Sequence, residues 1–158
     1  SIPFAEAHPA TRVTALDYAR VLDVARHFAR ACGVEGQFTF RAGDLRRGSL
    51  GRAGFDVVIL GHICHSEGAA GTRQLFRKAH RALRLGGRML VAEMCPDEER
   101  LGQDGGAHAL LFALNMLVHT ERGGTFTVPE YRQWATAAGF QRFRAIDTRP
   151  ARILSFQK

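Results

Sequence analysis

The sequence has 158 residues, of which 46% are hydrophobic and 23% charged, and this fits one domain with a buried core. Its net charge of +7 comes from basic residues scattered singly or in pairs, which indicates a solvated surface and no nucleic-acid partner. No apolar run approaches the roughly 20 residues of a membrane span, so no membrane partner is expected, and the N-terminus lacks a signal-peptide pattern. Three cysteines without CxxC spacing indicate a reduced, cytoplasmic protein.

Strands and helices alternate along the first two thirds of the chain. Short β-branched apolar runs predict strands, and apolar residues at helical spacing that end at glycines predict helices. The strands are expected at 12–17, 37–44, 55–61 and 88–94, and the helices at 18–33 and 71–87. This alternation is typical of parallel βαβ units and predicts a doubly wound α/β sheet.

The last third has a different pattern. A polar loop is expected at 97–106, followed at 107–121 by a helix that is apolar on nearly all sides and is therefore predicted to be buried. A second helix is predicted from an N-cap at Thr127 to a stop at Gly139. Two closing strands joined by a turn at 149–150 predict an antiparallel C-terminal edge.

Each predicted parallel strand is followed by a polar or acidic group. Asp17, Asp44, the segment 61–67 and Glu93 all stand at such strand ends, and ligands of open parallel sheets bind at the carboxyl ends of the strands. Successive acids of this kind suit the ribose hydroxyls and the adenine amino group of a nucleoside cofactor. Alternatively, Asp17 and Asp44 cap the loops and helices that follow them.

The segment "DVVILGHICHSEG" places two histidines directly after a buried strand. His62 and His65 are three residues apart and could ligate a metal ion, but no third ligand of convincing spacing follows, so no metal site is expected. His65 is either a catalytic group or a histidine packed in the loop. His62 is interpreted as a structural or pocket-lining residue.

The order of several segments resembles the catalytic domain of S-adenosylmethionine-dependent O-methyltransferases. The matching pieces are "RVTALDYARVLDVAR", "FRAGDL", "FDVVILGHICHSE", "RALRLGGRMLVAEM" and "ALNMLVHTERGGTFTVPEYRQWATAAGF". The group includes caffeate-type, acetylserotonin and hydroxyneurosporene-type enzymes, and the resemblance runs from about Pro9 to the end. It implies a class I methyltransferase fold, which is Rossmann-like, and S-adenosyl-L-methionine as cofactor.

The resemblance also implies a role for individual residues. Asp17 matches the acid that binds the cofactor ribose, and Asp44 matches the acid near the adenine. Leu45 matches the apolar residue on the adenine face, and Gly61 is also predicted to bind the cofactor. His65 matches the general base that takes a proton from a substrate hydroxyl, and Glu93 the acid that orients it. His62, Met116 and His119 are expected to contact a small, hydroxylated aromatic, polyketide-like or carotenoid-like substrate.

The sequence departs from the family pattern in two places. Phe126 stands where the family has a second acid beside the base. The first strand, its glycine-rich turn and the N-terminal helical domain would precede Ser1, and the opening residues match the helix after that turn. Residues 1–158 are therefore expected to be a single, truncated catalytic domain, or an inactive relative that acts as an interaction module.

The absent first strand also makes a structural prediction. In this fold it lies between the strands that end at Asp17 and Leu60, so those strands should not pair directly. We expect a gap between them, or a strand borrowed from a second copy, because a stable fold avoids unpaired backbone groups. A homodimer would follow from the second arrangement.

Overall fold

The computed structural model describes residues 1–96, 104–148 and 151–158, without the side chains of residues 104–109. Most of the predicted polar loop at 97–106 and the predicted turn at 149–150 lie outside the described residues. The chain divides into two compact units, residues 1–49 and residues 50–158. The expectation of a single domain stays a prediction.

The first unit is a parallel strand pair with two helices. It comprises α1 (Ile2–Ala7), β1 (Val13–Asp17), α2 (Ala19–Ala31), a short 3₁₀ turn (Glu35–Gln37) and β2 (Phe38–Ala42). Strands β1 and β2 run parallel with Asp17 opposite Ala42. A small core of Ala5, Ala29 and Val34 lies beneath partly buried apolar residues of β1 and β2. The predicted strands, the helix at 18–33 and its stop at Gly33, which has a φ of 72°, are all found here within a few residues.

The second unit is built on a mixed four-stranded sheet. Its elements are β3 (Phe55–Gly61), α3 (Cys64–Ala82), β4 (Leu83–Glu93), α4 (Asp104–His119), α5 (Val128–Ala137), β5 (Gln141–Asp147) and β6 (Arg152–Gln157). The strand order is β3-β4-β6-β5. Strands β3 and β4 are parallel, whereas β6 runs antiparallel to both of its neighbours. The predicted antiparallel C-terminal edge is therefore confirmed.

Aromatic side chains from three elements fill the core of this unit. Phe76 of α3 packs against Tyr131 of α5 and Phe156 of β6, with ring centroids 6.2 and 6.1 Å apart. All three rings are buried. Helix α5 begins with a capping box, since Glu130 N–H donates to Thr127 Oγ1 and Thr127 N–H donates to Glu130 Oε2 at 2.7 Å, which confirms the predicted N-cap.

The third helix differs at both ends from the prediction of 71–87. It begins at Cys64, because a break at Gly68 with φ of 68° and ψ of 177° joins a first turn to the main helix. It ends at Ala82, where the chain becomes extended and enters β4. Lys158 Nζ donates to the carbonyls of His80 and Leu83 at 2.7 Å each, which satisfies two acceptors at this helix end. The helical pattern alone could not reveal this long-range cap.

Helix α4 is not buried as its composition predicted. Five apolar side chains are exposed in the structure: Leu110, Leu111, Leu114, Leu117 and Val118. Met116 is buried. The prediction was wrong because an apolar composition shows only that a helix could be buried. No described element of the second unit covers the face that bears these five side chains. Among the described residues, no helix is long and apolar enough to cross a membrane.

The strands that end near Asp17 and Leu60, β1 and β3, each pair with a neighbour in their own unit. Among the described residues, β1 pairs with β2, and β3 pairs with β4. The strand ends fall at Asp17, Ala42, Gly61 and Glu93, each within one residue of the predicted position. The gap or borrowed strand expected between the strands that end near Asp17 and Leu60 concerns two different units and stays a prediction.

Candidate active site

The site begins where β3 leaves the sheet. Gly61 lies opposite Ala92 in the parallel register, and His62 N–H donates to Ala92 O at 3.0 Å. His62 then adopts a φ of 52°, in the left-handed region that non-glycine residues seldom enter. This turn ends the strand and leads into the first turn of α3 at Cys64.

A buried carboxylate at the end of β4 connects the strand to that helical turn. Glu93 is 1% exposed. Its Oε1 accepts hydrogen bonds from the backbone N–H groups of Cys64 at 2.8 Å and His65 at 3.4 Å. Its Oε2 lies 2.9 Å from His65 Nδ1. One side chain therefore fixes both the start of α3 and the ring of His65.

The Glu93 contacts determine which nitrogen of His65 is available. An ionised carboxylate can only accept hydrogen bonds, and Glu93 Oε1 faces two backbone N–H donors. Nδ1 therefore carries the proton that it shares with Glu93, and Nε2 keeps its lone pair. A ring in this tautomer can accept a proton at Nε2 while the carboxylate stabilises the resulting imidazolium.

A glycine-containing loop holds His65 from its carbonyl side. Gly124 N–H donates to His65 O at 2.8 Å. A Cβ at Gly123 would lie 2.6 Å from the same oxygen, and one at Gly68 would overlap the carbonyl of Arg122. Because only glycines permit this approach, "HTERGGTFT" packs closely against the first turn of α3.

Helix α4 supplies an aromatic side chain beside His65 that the sequence-based prediction did not include. The rings of Phe112 and His65 meet edge to face, with centroids 4.9 Å apart. Phe112, Met116 and His119 follow a spacing of four and three residues, which places them on one helix face. This spacing from Met116 and His119, which were predicted, could have identified Phe112 from the sequence. His119 itself is exposed.

The predicted nucleoside-binding acids lie in the first unit. Asp17 Oδ1 accepts the backbone N–H of Tyr18 at 2.7 Å. Asp44 Oδ1 accepts the backbone N–H of Arg46 at 2.8 Å and its Nε at 3.2 Å. These contacts, the backbone one first, lower the pKa of Asp44. The Asp44 contact to a backbone N–H two residues on agrees with the capping interpretation, whereas Asp17 makes no side-chain cap of α2. The cofactor roles of both acids stay predictions.

The other two predicted cofactor residues are Leu45, which is half-buried in the turn after Asp44, and Gly61 at the end of β3. A Cβ at Gly61 would meet nothing within 4 Å. Packing among the described residues therefore does not require glycine at this strand end, and an open position there is compatible with a bound ligand.

Comparisons with known proteins identify the family. The model of the O-methyltransferase domain family matches residues 3–141. The chain belongs to the O-methyltransferase domain family. It is 34% identical over 134 residues to the tetracenomycin polyketide synthesis 8-O-methyl transferase TcmO of Streptomyces glaucescens, covering 85% of this chain and 38% of that protein. It is 33% identical over 140 residues to acetylserotonin O-methyltransferase of Rattus norvegicus, covering 89% of this chain and 31% of that protein.

The fold of this O-methyltransferase domain agrees with a solved structure of the family. Human N-acetylserotonin methyltransferase in complex with SAM superposes with a TM-score of 0.80 at 28% identity, over 98% of this chain and 42% of that one. The predicted class I methyltransferase fold is confirmed. The chain spans less than half the length of each of these relatives.

The residue that replaces the family's second acid lies in an aromatic cluster. Phe126 packs edge to face against Trp134 and Tyr131, with centroids 4.9 and 6.0 Å apart. Among the described residues, Glu93 is the carboxylate that hydrogen-bonds the His65 ring. Within the described part of the chain, one carboxylate therefore contacts the His65 ring.

Two other ionisable side chains near the pair stay neutral. Burial raises the pKa of the Cys64 thiol, and the charge of Glu93 raises it further. Burial likewise raises the pKa of Tyr131. Neither group therefore supplies a thiolate or a phenolate near neutral pH.

The structure also brings a third group of suitable chemistry close to the two histidines. One ligand atom from each of His62, His65 and Glu93 lies within 4.8 Å of the other two. Glu93 is 28 residues from His65, so spacing along the chain could not reveal it. The reason for expecting no metal site therefore no longer holds.

Proposed function

We propose that this chain is the catalytic part of an S-adenosylmethionine-dependent O-methyltransferase that acts on a hydroxyl of a small aromatic, polyketide-like or carotenoid-like acceptor. The observation that carries the proposal is the 2.9 Å contact between His65 Nδ1 and buried Glu93 Oε2. The relatives named above, which act in polyketide synthesis and on acetylserotonin, support the acceptor class.

His65 acts as the general base in this proposal. Its Nε2 takes the proton of the acceptor hydroxyl as the oxygen forms its bond to the methyl carbon. Glu93 keeps the ring in the required tautomer and stabilises the positive charge that develops on it. The bound cofactor supplies an activated methyl group, so the protein's main task is to align the acceptor oxygen with it.

The expected cofactor contacts are chemically suited to that group. The carboxylates of Asp17 and Asp44 can accept hydrogen bonds from ribose hydroxyls and an adenine amino group, respectively. Leu45 offers an apolar surface to the adenine ring, and Gly61 leaves room at the end of β3. These assignments rest on the family match of each residue.

The acceptor is expected against the face of α4 that bears Phe112 and Met116. An aromatic edge and a thioether suit a flat apolar acceptor. His62 and His119 would supply polar contacts at its edges. This arrangement favours a hydroxylated ring over a highly charged substrate.

Calorimetric titration of the chain with S-adenosylhomocysteine tests the cofactor part. We expect binding that Asp17→Asn weakens, because the ribose diol loses a charge-assisted acceptor. Asp23→Asn, on the exposed surface of α2, is the matched control and should bind normally. Absence of binding by the folded chain would contradict the proposal for these 158 residues.

Methyl transfer from labelled S-adenosylmethionine to a panel of small phenols tests the base. We expect His65→Gln to lower the rate by about 10²–10⁴-fold and to leave the cofactor affinity unchanged. His27→Gln, an exposed histidine of α2, should behave like the unsubstituted chain. A fully active His65→Gln chain would eliminate His65 as the base.

A second candidate function is a non-catalytic interaction module, and the edge of β3 favours it. Val57 and Ile59 are 40% and 42% exposed on this strand. Among the described residues, β3 pairs on one side only, with β4. An exposed apolar edge of this kind can add a strand from another chain, and a second copy of this chain would then form a homodimer. A monomer by light scattering at high concentration would count against it.

A further inference from the structure

We propose that His62, His65 and Glu93 form a binding site for one divalent transition-metal ion, with zinc as the representative ion. The three residues converge from the end of β3, the first turn of α3 and the end of β4. A ligand atom of each lies within 4.8 Å of the other two. The proposal concerns binding to the domain itself and does not depend on methyl transfer.

The distances are close to those of a tetrahedral zinc site. Zinc bonds of about 2.0–2.1 Å separate neighbouring ligand atoms by about 3.3 Å. His65 Nδ1 and Glu93 Oε2 are already 2.9 Å apart, which is near that separation. The ligand atom of His62 has to approach by at most about 1.5 Å, and a rotation of its exposed ring can provide this movement.

The kinds of ligand select the class of ion. Two imidazoles and one carboxylate are a donor set that zinc and neighbouring first-row ions accept, whereas magnesium and calcium prefer oxygen ligands alone. Exposure of His62 leaves a path for entry and an open coordination position. Glu93 Oε1 still accepts the backbone N–H of Cys64 at 2.8 Å, and this contact would orient the ligating carboxylate.

The backbone of His62 is an independent reason to assign it a role. It has a φ of 52°, in the left-handed region that few non-glycine residues adopt. Its N–H is tied to Ala92 O, so the residue is held at this position at the end of β3. Left-handed non-glycine residues of this kind are concentrated at functional sites.

An ion at this site would replace the proton between His65 Nδ1 and Glu93 Oε2. It would then remove the contact that orients the general base, so the ion is expected to inhibit methyl transfer. This consequence rests on the proposed function, whereas the binding itself does not.

Cobalt(II) titration of the full chain, followed by visible absorption and equilibrium dialysis, tests the binding. Cys32→Ser serves as the background, because Cys32 is an exposed thiol that could bind the ion elsewhere. We expect one cobalt ion per chain, absorption typical of a four-coordinate site, and displacement by zinc. Absence of a saturable cobalt spectrum would overturn the proposal.

Two substitutions assign the site. His62→Asn tolerates the left-handed backbone and removes an imidazole, and we expect it to weaken zinc binding by at least about 100-fold, more than the loss of a supporting hydrogen bond costs. His27→Asn is the control and should bind zinc normally. Circular dichroism of each variant verifies folding. Equal zinc affinity of the His62→Asn and His27→Asn chains would overturn the assignment.

Titration with S-adenosylhomocysteine separates this proposal from the proposed function. Zinc binding that depends on His62 supports the metal site even where the chain fails to bind the cofactor product. Methyl transfer that continues unchanged at saturating zinc would overturn the inhibitory consequence and leave the proposed function intact.

Discussion

Replacing Glu93 by glutamine tests how the carboxylate controls His65. The two side chains have nearly the same volume, so Glu93→Gln creates no cavity in this buried site. The carboxylate accepts the N–H groups of Cys64 and His65 on Oε1 and faces His65 Nδ1 with Oε2. A glutamine oxygen can keep the first pair of contacts only if its NH₂ group faces Nδ1.

The glutamine NH₂ group and the Nδ1–H of His65 would then both be donors facing each other, unless the imidazole changes tautomer. We therefore expect His65 in the Glu93→Gln chain to carry its proton on Nε2 and to accept from the amide at Nδ1. Losing a charge-assisted hydrogen bond should lower the free energy of unfolding by about 1–3 kcal/mol. A base with its proton on Nε2 cannot accept another there, so methyl transfer should fall by about 10²–10⁴-fold.

Three measurements on the same variant test these expectations. Nitrogen-15 chemical shifts of the imidazole report the tautomer, urea denaturation reports stability, and labelled methyl transfer reports catalysis. Glu121→Gln removes an exposed carboxylate of the same unit and should change none of them. A His65 that keeps its proton on Nδ1 in a folded Glu93→Gln chain would refute the reasoning, as would full methyl transfer activity.

Three further predictions concern the stability of the chain and are measured by urea denaturation. Thr127→Ala removes the capping box of α5 and should cost about 1 kcal/mol, and an unchanged midpoint would contradict this. Gly139→Ala should cost about 1–3 kcal/mol, because φ is 100° and a Cβ would lie 2.9 Å from His80 Nε2, whereas Gly36→Ala meets no neighbour within 4 Å and is the control. Burial lowers the pKa of His80, and the charge of Lys158 lowers it further. The unfolded state therefore binds the His80 proton more readily than the folded state, and the free energy of unfolding should rise with pH up to about 6.5. His80→Gln should flatten that rise, and an unaltered slope would assign it to another group.

Local sequence signals predicted the elements whose ends are made locally. Helix α5 has its N-cap, first-turn proline and terminal glycine within the segment 127–139, and the capping box is formed by residues three apart. Strand β3 was predicted at its observed bounds because an unbroken apolar run stops at a glycine. In such cases the residues that determine an element are those that compose it.

Long-range contacts explain the errors at α3 and α4. The end of α3 is set by Lys158, which donates to carbonyls more than 70 residues earlier in the chain. Its start depends on the approach of Arg122 to Gly68, which only the folded loop reveals. The exposure of α4 is likewise a property of its neighbours, since composition states how apolar a helix is and not what covers it.

The site was predictable where topology, rather than distance along the chain, determines proximity. His65 and Glu93 are 28 residues apart, but both follow strands that are neighbours in a parallel pair, so their approach could be expected. Phe112 was missed because α4 has no strand partner from which its position could be inferred. Glu93 was expected beside His65, but the prediction of no third metal-binding group rested only on spacing along the chain and therefore did not include it.

The position of His65 is set by backbone contacts on both sides of it. Glu93 Oε1 accepts the N–H of Cys64 and, more weakly, that of His65, while the carbonyl of His65 accepts Gly124 N–H. Because both backbone groups of His65 contact residues outside its own helix, the ring orientation does not depend on α3 alone. All these residues belong to the second unit, residues 50–158. The contacts named here that hold the His65–Glu93 pair all lie within this unit, so a change at Asp17 that weakens cofactor binding is expected to leave the His65 tautomer unaltered.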